Sequence, residues 1–361
     1  MMKDRVFNFA AGPSMLPDEV LDELHEEFYN YQNSGMAVME MSHRGKDYLK
    51  IFEEAKQRLY RVMEIPEDYE VFFMHGGATG QFAAVPLNLL KTGKADYIVT
   101  GNFSKKAAKE AMKYGEVHIV YDGKDNGYSH IPVEEELDLS ADADYVHLCS
   151  NNTIFGTEWK KYPDGKGKVL VGDLSSDILS RKIDVSKFGL IYAGAQKNIG
   201  IAGIAVVIIR KDLIKTPMAI TPDILSYELM AKHDSMLNTP PTYPIYVLGK
   251  VLKWIEESGG VEVIEKRNQE KAKLLYDYLD GQSFYRPHAE KDSRSLMNVT
   301  FTTPNEEIDK KFVSEAADRG LVSLKGHRLV GGLRASIYNA MPIQAVEQLV
   351  SFIDEFAKEN A

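Results

Sequence analysis

The sequence predicts an α/β fold with a mainly parallel sheet, followed by a smaller α+β unit. Three observations predict it. Short apolar runs recur between Val71 and Ile209. Segments of helical spacing separate several of these runs. After Pro244 the order changes to two long helices, then strands and helices in turn. Strands alternating with helices bury both faces of a sheet, and their crossovers run right-handed.

Each element follows from its residues. Positions 6–11 read as a short extended segment ending in the turn Gly12-Pro13-Ser14. A helix is expected over 16–31, with Pro17, Asp18 and Glu19 suited to its first turn. Another is expected over 47–63, where Tyr48, Ile51, Phe52, Ala55, Leu59 and Val62 recur at helical spacing. Apolar runs predict strands at 71–74, 97–99, 117–121, 145–148, 169–171, 190–192 and 205–209. Helices are expected after Gly80 through Leu90 and over 105–114. Further on, helices are expected over 245–257 and 261–279, a strand over 297–301 and a helix over 306–319. Short strands at 321–324 and 332–337 precede a last helix with Val346, Leu349, Val350, Ile353 and Phe356 on one face. The polar stretch 281–295 reads as a loop. This pattern divides the chain into an N-terminal segment (1–15), a large domain (16–257) and a small domain (258–361).

Bulk properties exclude some functions. The formal net charge of −10 argues against nucleic acid or an anionic membrane as partner, so an anionic substrate needs a local cationic cluster. The single cysteine, Cys149, follows apolar Val146 and Leu148 and reads as a buried thiol. One cysteine fits a reducing cytoplasm. The first residues contain no apolar run resembling a signal peptide, and no stretch approaches the ~18 apolar residues that span a bilayer.

The chemistry concentrates at the ends of the expected strands. Lys197 sits in the turn Gly194-Ala195-Gln196-Lys197-Asn198-Ile199-Gly200, between two apolar runs. Desolvating an ammonium is unfavourable, and a Schiff base with an aldehyde removes the charge. Asp173 ends the run Val169-Leu170-Val171-Gly172. Pyridoxal phosphate needs both an amine for its aldehyde and an anion for its ring nitrogen, so the pair points to that cofactor. His75-Gly76-Gly77-Ala78-Thr79-Gly80 joins a strand to a helix. It suits a phosphate cradle or a plain turn, and is neither a dinucleotide fingerprint nor a Walker loop. Thr153 follows a fourth strand. Ligands of open α/β sheets bind beyond such carboxyl ends.

Longer stretches carry a resemblance. They are 8–13, Ser42-His43-Arg44, 76–89, Asp173-Leu174-Ser175-Ser176, 192–200, Asn238-Thr239-Pro240-Pro241 and 331–340. In this order they resemble the phosphoserine aminotransferases, pyridoxal-phosphate enzymes of fold type I and class V, essentially end to end. The resemblance implies that Lys197 is the Schiff-base lysine and Asp173 the partner of the pyridinium nitrogen. It implies that Ala78, Thr79 and Gln196 contact the cofactor phosphate and Thr153 the ring's hydroxyl side. Asn238 and Thr239 would reach the cofactor phosphate of a neighbouring subunit, implying a homodimer with shared sites. The family often stacks tryptophan on the ring; Phe103 stands at the matching place here. Phenylalanine keeps a flat apolar face but has less area and no N–H donor.

For the substrate, the resemblance implies that Arg334 binds the α-carboxylate. His43, Arg44, His327 and Arg328 would bind a distal phosphate, with His43 and Arg44 reaching across the dimer. The implied reaction is ping-pong: L-glutamate gives its amino group to 3-phosphohydroxypyruvate, forming O-phospho-L-serine and 2-oxoglutarate in serine biosynthesis. Use of 4-phosphohydroxythreonine, in pyridoxine biosynthesis, is known in parts of the family. No metal is implied. The rivals are another small fold-type-I aminotransferase, a cysteine desulfurase, and a homologue that binds cofactor without chemistry. A desulfurase needs a mobile cysteine, which the setting of Cys149 does not suit.

Overall fold

The computed structural model describes residues 5–360. Residues 1–4, which begin the segment expected at 1–15, lie outside the described residues. Seven strands form the central sheet: β1 (Tyr69–His75), β2 (Lys94–Val99), β3 (Glu116–Asp122), β4 (Tyr145–Cys149), β5 (Val169–Asp173), β6 (Leu190–Gly194) and β7 (Ile204–Arg210). Their order is β1-β7-β6-β5-β4-β2-β3. β7 runs antiparallel to both neighbours, and the other pairings are parallel.

Alternation along these strands builds two cores. Val71, Phe73, Val146, Leu148, Ile191, Ala193, Val206 and Ile208 point to one face. Phe72, Met74, Tyr145, Val171, Leu190, Tyr192, Val207 and Ile209 point to the other. Helices cover both faces, which is why the strands read as nearly continuous apolar runs. On the first face lie α1 (Asp18–Glu26), α2 (Lys46–Val62) and α5 (Thr242–Glu257), whose buried residues join the first core. On the second lie α3 (Gly77–Leu89) and α4 (Asn102–Ala111).

A third core forms around the three-stranded sheet β8 (Arg286–Pro287), β9 (Asn298–Thr302) and β10 (Leu333–Ser336). Helices α6 (Val261–Asp280), α7 (Glu306–Asp318) and α8 (Ile343–Asn360) pack there. α6 spans two cores, with Val261 and Ile264 in the first and Leu275 and Leu279 in the third. Phe7–Asn8 pairs in parallel with Leu321–Val322, so the N-terminal segment is tied to this unit. Buried Lys271 on α6 donates to the carbonyls of Ile337, Tyr338 and Met341 at 2.7–3.0 Å. Three acceptors match the three N–H groups of an ammonium.

Several elements differ from expectation. The first helix ends at Glu26 rather than near 31, and left-handed Gln32 and Asn33 turn the chain after it. The stretch 281–295 contains strand β8, whose pairing with Phe301 and Thr302 is non-local and leaves little local signal. The strand expected at 321–324 stops at Val322, because Ser323 is left-handed. The short helix Tyr227–Lys232 was not anticipated.

Candidate active site

The carboxyl ends of β4, β5 and β6 open into a cavity of about 580 Å³ between the central sheet and the C-terminal unit. Its lining includes Ala78, Thr79, Phe103, Thr153, Asp173, Gln196, Lys197, His327 and Arg334. These come from six separate parts of the chain, and the sheet order makes Asp173 a direct neighbour of Cys149 and Tyr192.

Lys197 is partly buried and its Nζ donates to Thr153 Oγ1 at 2.7 Å. Burial lowers its proton affinity, opposed by the charge of Asp173. The N-terminal turn holds it from the other side: Ser14 Oγ donates to the Lys197 carbonyl. Gly12 has φ +140°, and a Cβ there would lie 3.3 Å from Lys197 Cγ. The Gly12-Pro13 turn therefore presses directly on the lysine stem.

Asp173 is 4% exposed. Burial raises its proton affinity, and Ser175 counters this by donating from Oγ at 2.6 Å and from its backbone N–H at 3.0 Å, both to Oδ1. Ser175 Oγ in turn accepts from the Gly194 N–H at 3.0 Å, which fixes its orientation. The Tyr192 hydroxyl also favours the ionised carboxylate. Behind it, His147 Nε2 lies 2.8 Å from Tyr192 Oη, and its ring stacks on Tyr97 at 4.7 Å.

Burial pushes His147 down to about 3, from an ordinary 6.5. The native state thus binds fewer protons than the unfolded chain between these values. Stability must rise with pH across that window and be lost as pH falls, by up to about 1.4 kcal/mol per unit for this group. His147→Gln is expected to flatten this limb. Urea midpoints measured between pH 6.5 and 4 check it; an unchanged slope would show that other groups control acid unfolding.

Helix α3 begins at the cavity with Gly76 as its N-cap, in the left-handed region at φ 88°. Glycine offers no side-chain acceptor, so the N–H groups of the first turn remain free for an anion. Thr79 lies in that turn. On the opposite wall, Arg334 Nη1 reaches the Thr153 carbonyl at 3.5 Å, while its Nε is buried without a partner. A partly buried amine, a buried anion, an uncapped helix start and a guanidinium with one unpaired N–H suit the aldehyde, ring nitrogen and phosphate of pyridoxal phosphate and a substrate carboxylate.

Other expected residues lie elsewhere. Asn238 and Thr239 are exposed beside His75, with Asn238 Nδ2 3.3 Å and the Thr239 carbonyl 3.2 Å from its Nε2. Arg44 and Arg328 are exposed and His43 half-buried. Among the described residues, none of these five lines the cavity of its own chain. Ser14, Ser175 and Lys106 were not singled out from sequence. An Asp-x-Ser turn signal marks Ser175, and Lys106 falls one helical turn after Phe103. Cys149 is buried and its thiol pushed well up by burial, so it is not a ready nucleophile.

Fold and site together define a pyridoxal-phosphate enzyme of fold type I. The model of the aminotransferase class-V family matches residues 6–349. The phosphoserine aminotransferase of Geobacillus kaustophilus is 52% identical over 359 residues, 99% of each chain. The structure of phosphoserine aminotransferase from Bacillus circulans subsp. alkalophilus superposes with a TM-score of 0.97 at 46% identity, covering 99% of this chain and 100% of that one. A pyridoxal-phosphate-bound phosphoserine aminotransferase from Trichomonas vaginalis gives 0.93 at 39%, covering 97% and 100%. The chain therefore belongs to the phosphoserine aminotransferases of the class-V aminotransferase family.

Proposed function

We propose that the cavity transfers the amino group of L-glutamate to 3-phosphohydroxypyruvate, giving O-phospho-L-serine and 2-oxoglutarate in ping-pong order. Bound pyridoxal phosphate supplies the electron sink and carries the amino group between half-reactions. Lys197 moves the proton at the substrate Cα as general base and acid, a role that its depressed proton affinity favours. Asp173 holds the ring nitrogen, and Ser175 keeps the carboxylate ionised. Ala78, Thr79, Gln196, Phe103 and Thr153 line the cavity; the first three would hold the cofactor phosphate, Phe103 would flank the ring, and Thr153 would face its hydroxyl side. Arg334 binds the α-carboxylate with the N–H that has no partner.

His43, Arg44, His327 and Arg328 bind the substrate phosphate, with His43 and Arg44 supplied by a second copy. Asn238 and Thr239 reach that copy's cofactor. The exposure of Phe28, Tyr29, Met36, Met39 and Leu49, around His43 and Arg44 in sequence, supports a homodimer. The phosphate donors also suit 4-phosphohydroxythreonine, and the single cysteine supports a cytoplasmic setting. Segments 16–257 and 258–361 would act as large and small domains around the cavity, joined by 1–15.

The observation that carries the reading is the placement of Lys197, Asp173 and Arg334 around one cavity. A spectral titration tests it. The purified protein should absorb in the visible, and both L-glutamate and O-phospho-L-serine should bleach it. L-Serine should need concentrations at least about a hundredfold higher, since it leaves charged donors unpaired. Equal responses to serine and O-phosphoserine would overturn the phosphate reading.

A further inference from the structure

Lys106 is a cavity cation without a role in this scheme. It lies on α4, one helical turn after Phe103, and lines the cavity. Its Nζ is 5.7 Å from the Phe103 ring centroid, and Lys197 Nζ is 5.3 Å from the same centroid. Arg334, Arg328 and Lys106 each lower the proton affinity of His327, so the four groups share one cluster. The charges that shift His327 are these three cations, and its own shift is downward. In a chain of net charge −10, such a cluster repels itself when empty and is relieved by an anion.

We infer that Lys106 is a specificity-determining residue that donates to the phosphate of the phosphorylated substrate from the same subunit. The inference rests on the amino-transfer reading above. A phosphate dianion offers three acceptor oxygens and more charge than glutamate's γ-carboxylate, so it engages an extra ammonium that the carboxylate does not need. The phenyl face of Phe103 gives Lys106 a resting place but no hydrogen-bond acceptor. An exposed contact of this kind is weaker than a charge-assisted hydrogen bond. The lysine stem is exposed and flexible, so it can exchange the ring for the anion.

The test compares wild-type holoenzyme with Lys106→Met and Lys106→Arg. Cofactor absorbance is titrated with O-phospho-L-serine, L-serine and L-glutamate. Lys106→Met should raise the Kd for O-phosphoserine about tenfold and that for glutamate at most about threefold. Lys106→Arg should restore most of the loss. Equal shifts for all three ligands, or an unchanged Kd for O-phosphoserine, would overturn the inference. The two readings fail differently. A wild type that does not prefer O-phosphoserine over serine refutes the reaction; a Lys106→Met variant that keeps the wild-type preference refutes only the role of Lys106.

Discussion

Lys197→Ala is expected to abolish the visible absorbance of lysine-bound cofactor and to lower turnover by at least about a thousandfold. Lys197 alone among the cavity residues combines an amine with a position beside both Thr153 and Asp173. Lys106 is held apart by the Phe103 ring, which both ammonium groups approach. Loss of function need not mean loss of fold. The wild-type ammonium is partly desolvated and makes one side-chain hydrogen bond. Its removal also relieves the penalty that depresses its proton affinity. The cofactor-free variant should therefore unfold within a few degrees of the cofactor-free wild type, about 1–2 °C per kcal/mol at this size. Substantial turnover in this variant would end the assignment, and a collapsed melting temperature would show that the lysine is structural.

Asp173→Asn is expected to cost about a hundred- to a thousandfold in kcat while leaving the fold at least as stable at neutral pH. The amide keeps the shape and can still accept from Ser175 through its oxygen. What it loses is the negative charge that acts on Lys197 and that is proposed to hold the ring nitrogen. The stability argument has a definite sign. Burial raises the native proton affinity of Asp173, so between its unfolded and native values the native state binds more protons. Stability falls as pH rises through that window, and the full penalty persists above it. An uncharged isostere avoids it. A kcat within tenfold of the wild type would remove Asp173 from its role. Higher stability with lower activity is the usual sign of a group held for chemistry.

The sheet was legible because both its faces are covered. Runs such as Val169-Leu170-Val171 and Leu190-Ile191-Tyr192 leave no polar alternation to confuse with a surface strand. The helices were legible where one stripe is buried, as for Tyr48, Ile51, Phe52, Ala55 and Leu59 of α2. β8 was not legible, because two residues paired with a distant strand carry no period of their own. The direction of β7 was hidden for a related reason: a strand buried on both faces reads alike whether parallel or antiparallel. The groups proposed to bind the substrate divide in the same way. His327 and Arg334 reach the cavity, whereas His43, Arg44 and Arg328 do not within one chain.

By itself the sequence determined the kind of chemistry. Lysine and aspartate at adjacent strand ends, and a glycine-started helix, restrict the cofactor because few groups need an amine, an anion and a phosphate cradle together. Only the tertiary structure decided how those groups are tuned. Ser175, Tyr192 and the desolvating walls set the charge of Asp173, while Thr153, Ser14 and Gly12 set the position of Lys197. The physical reason is that residue identity is local. Proton affinity and orientation depend on burial and on partners that the chain brings together from as far apart as Gly12 and Arg334.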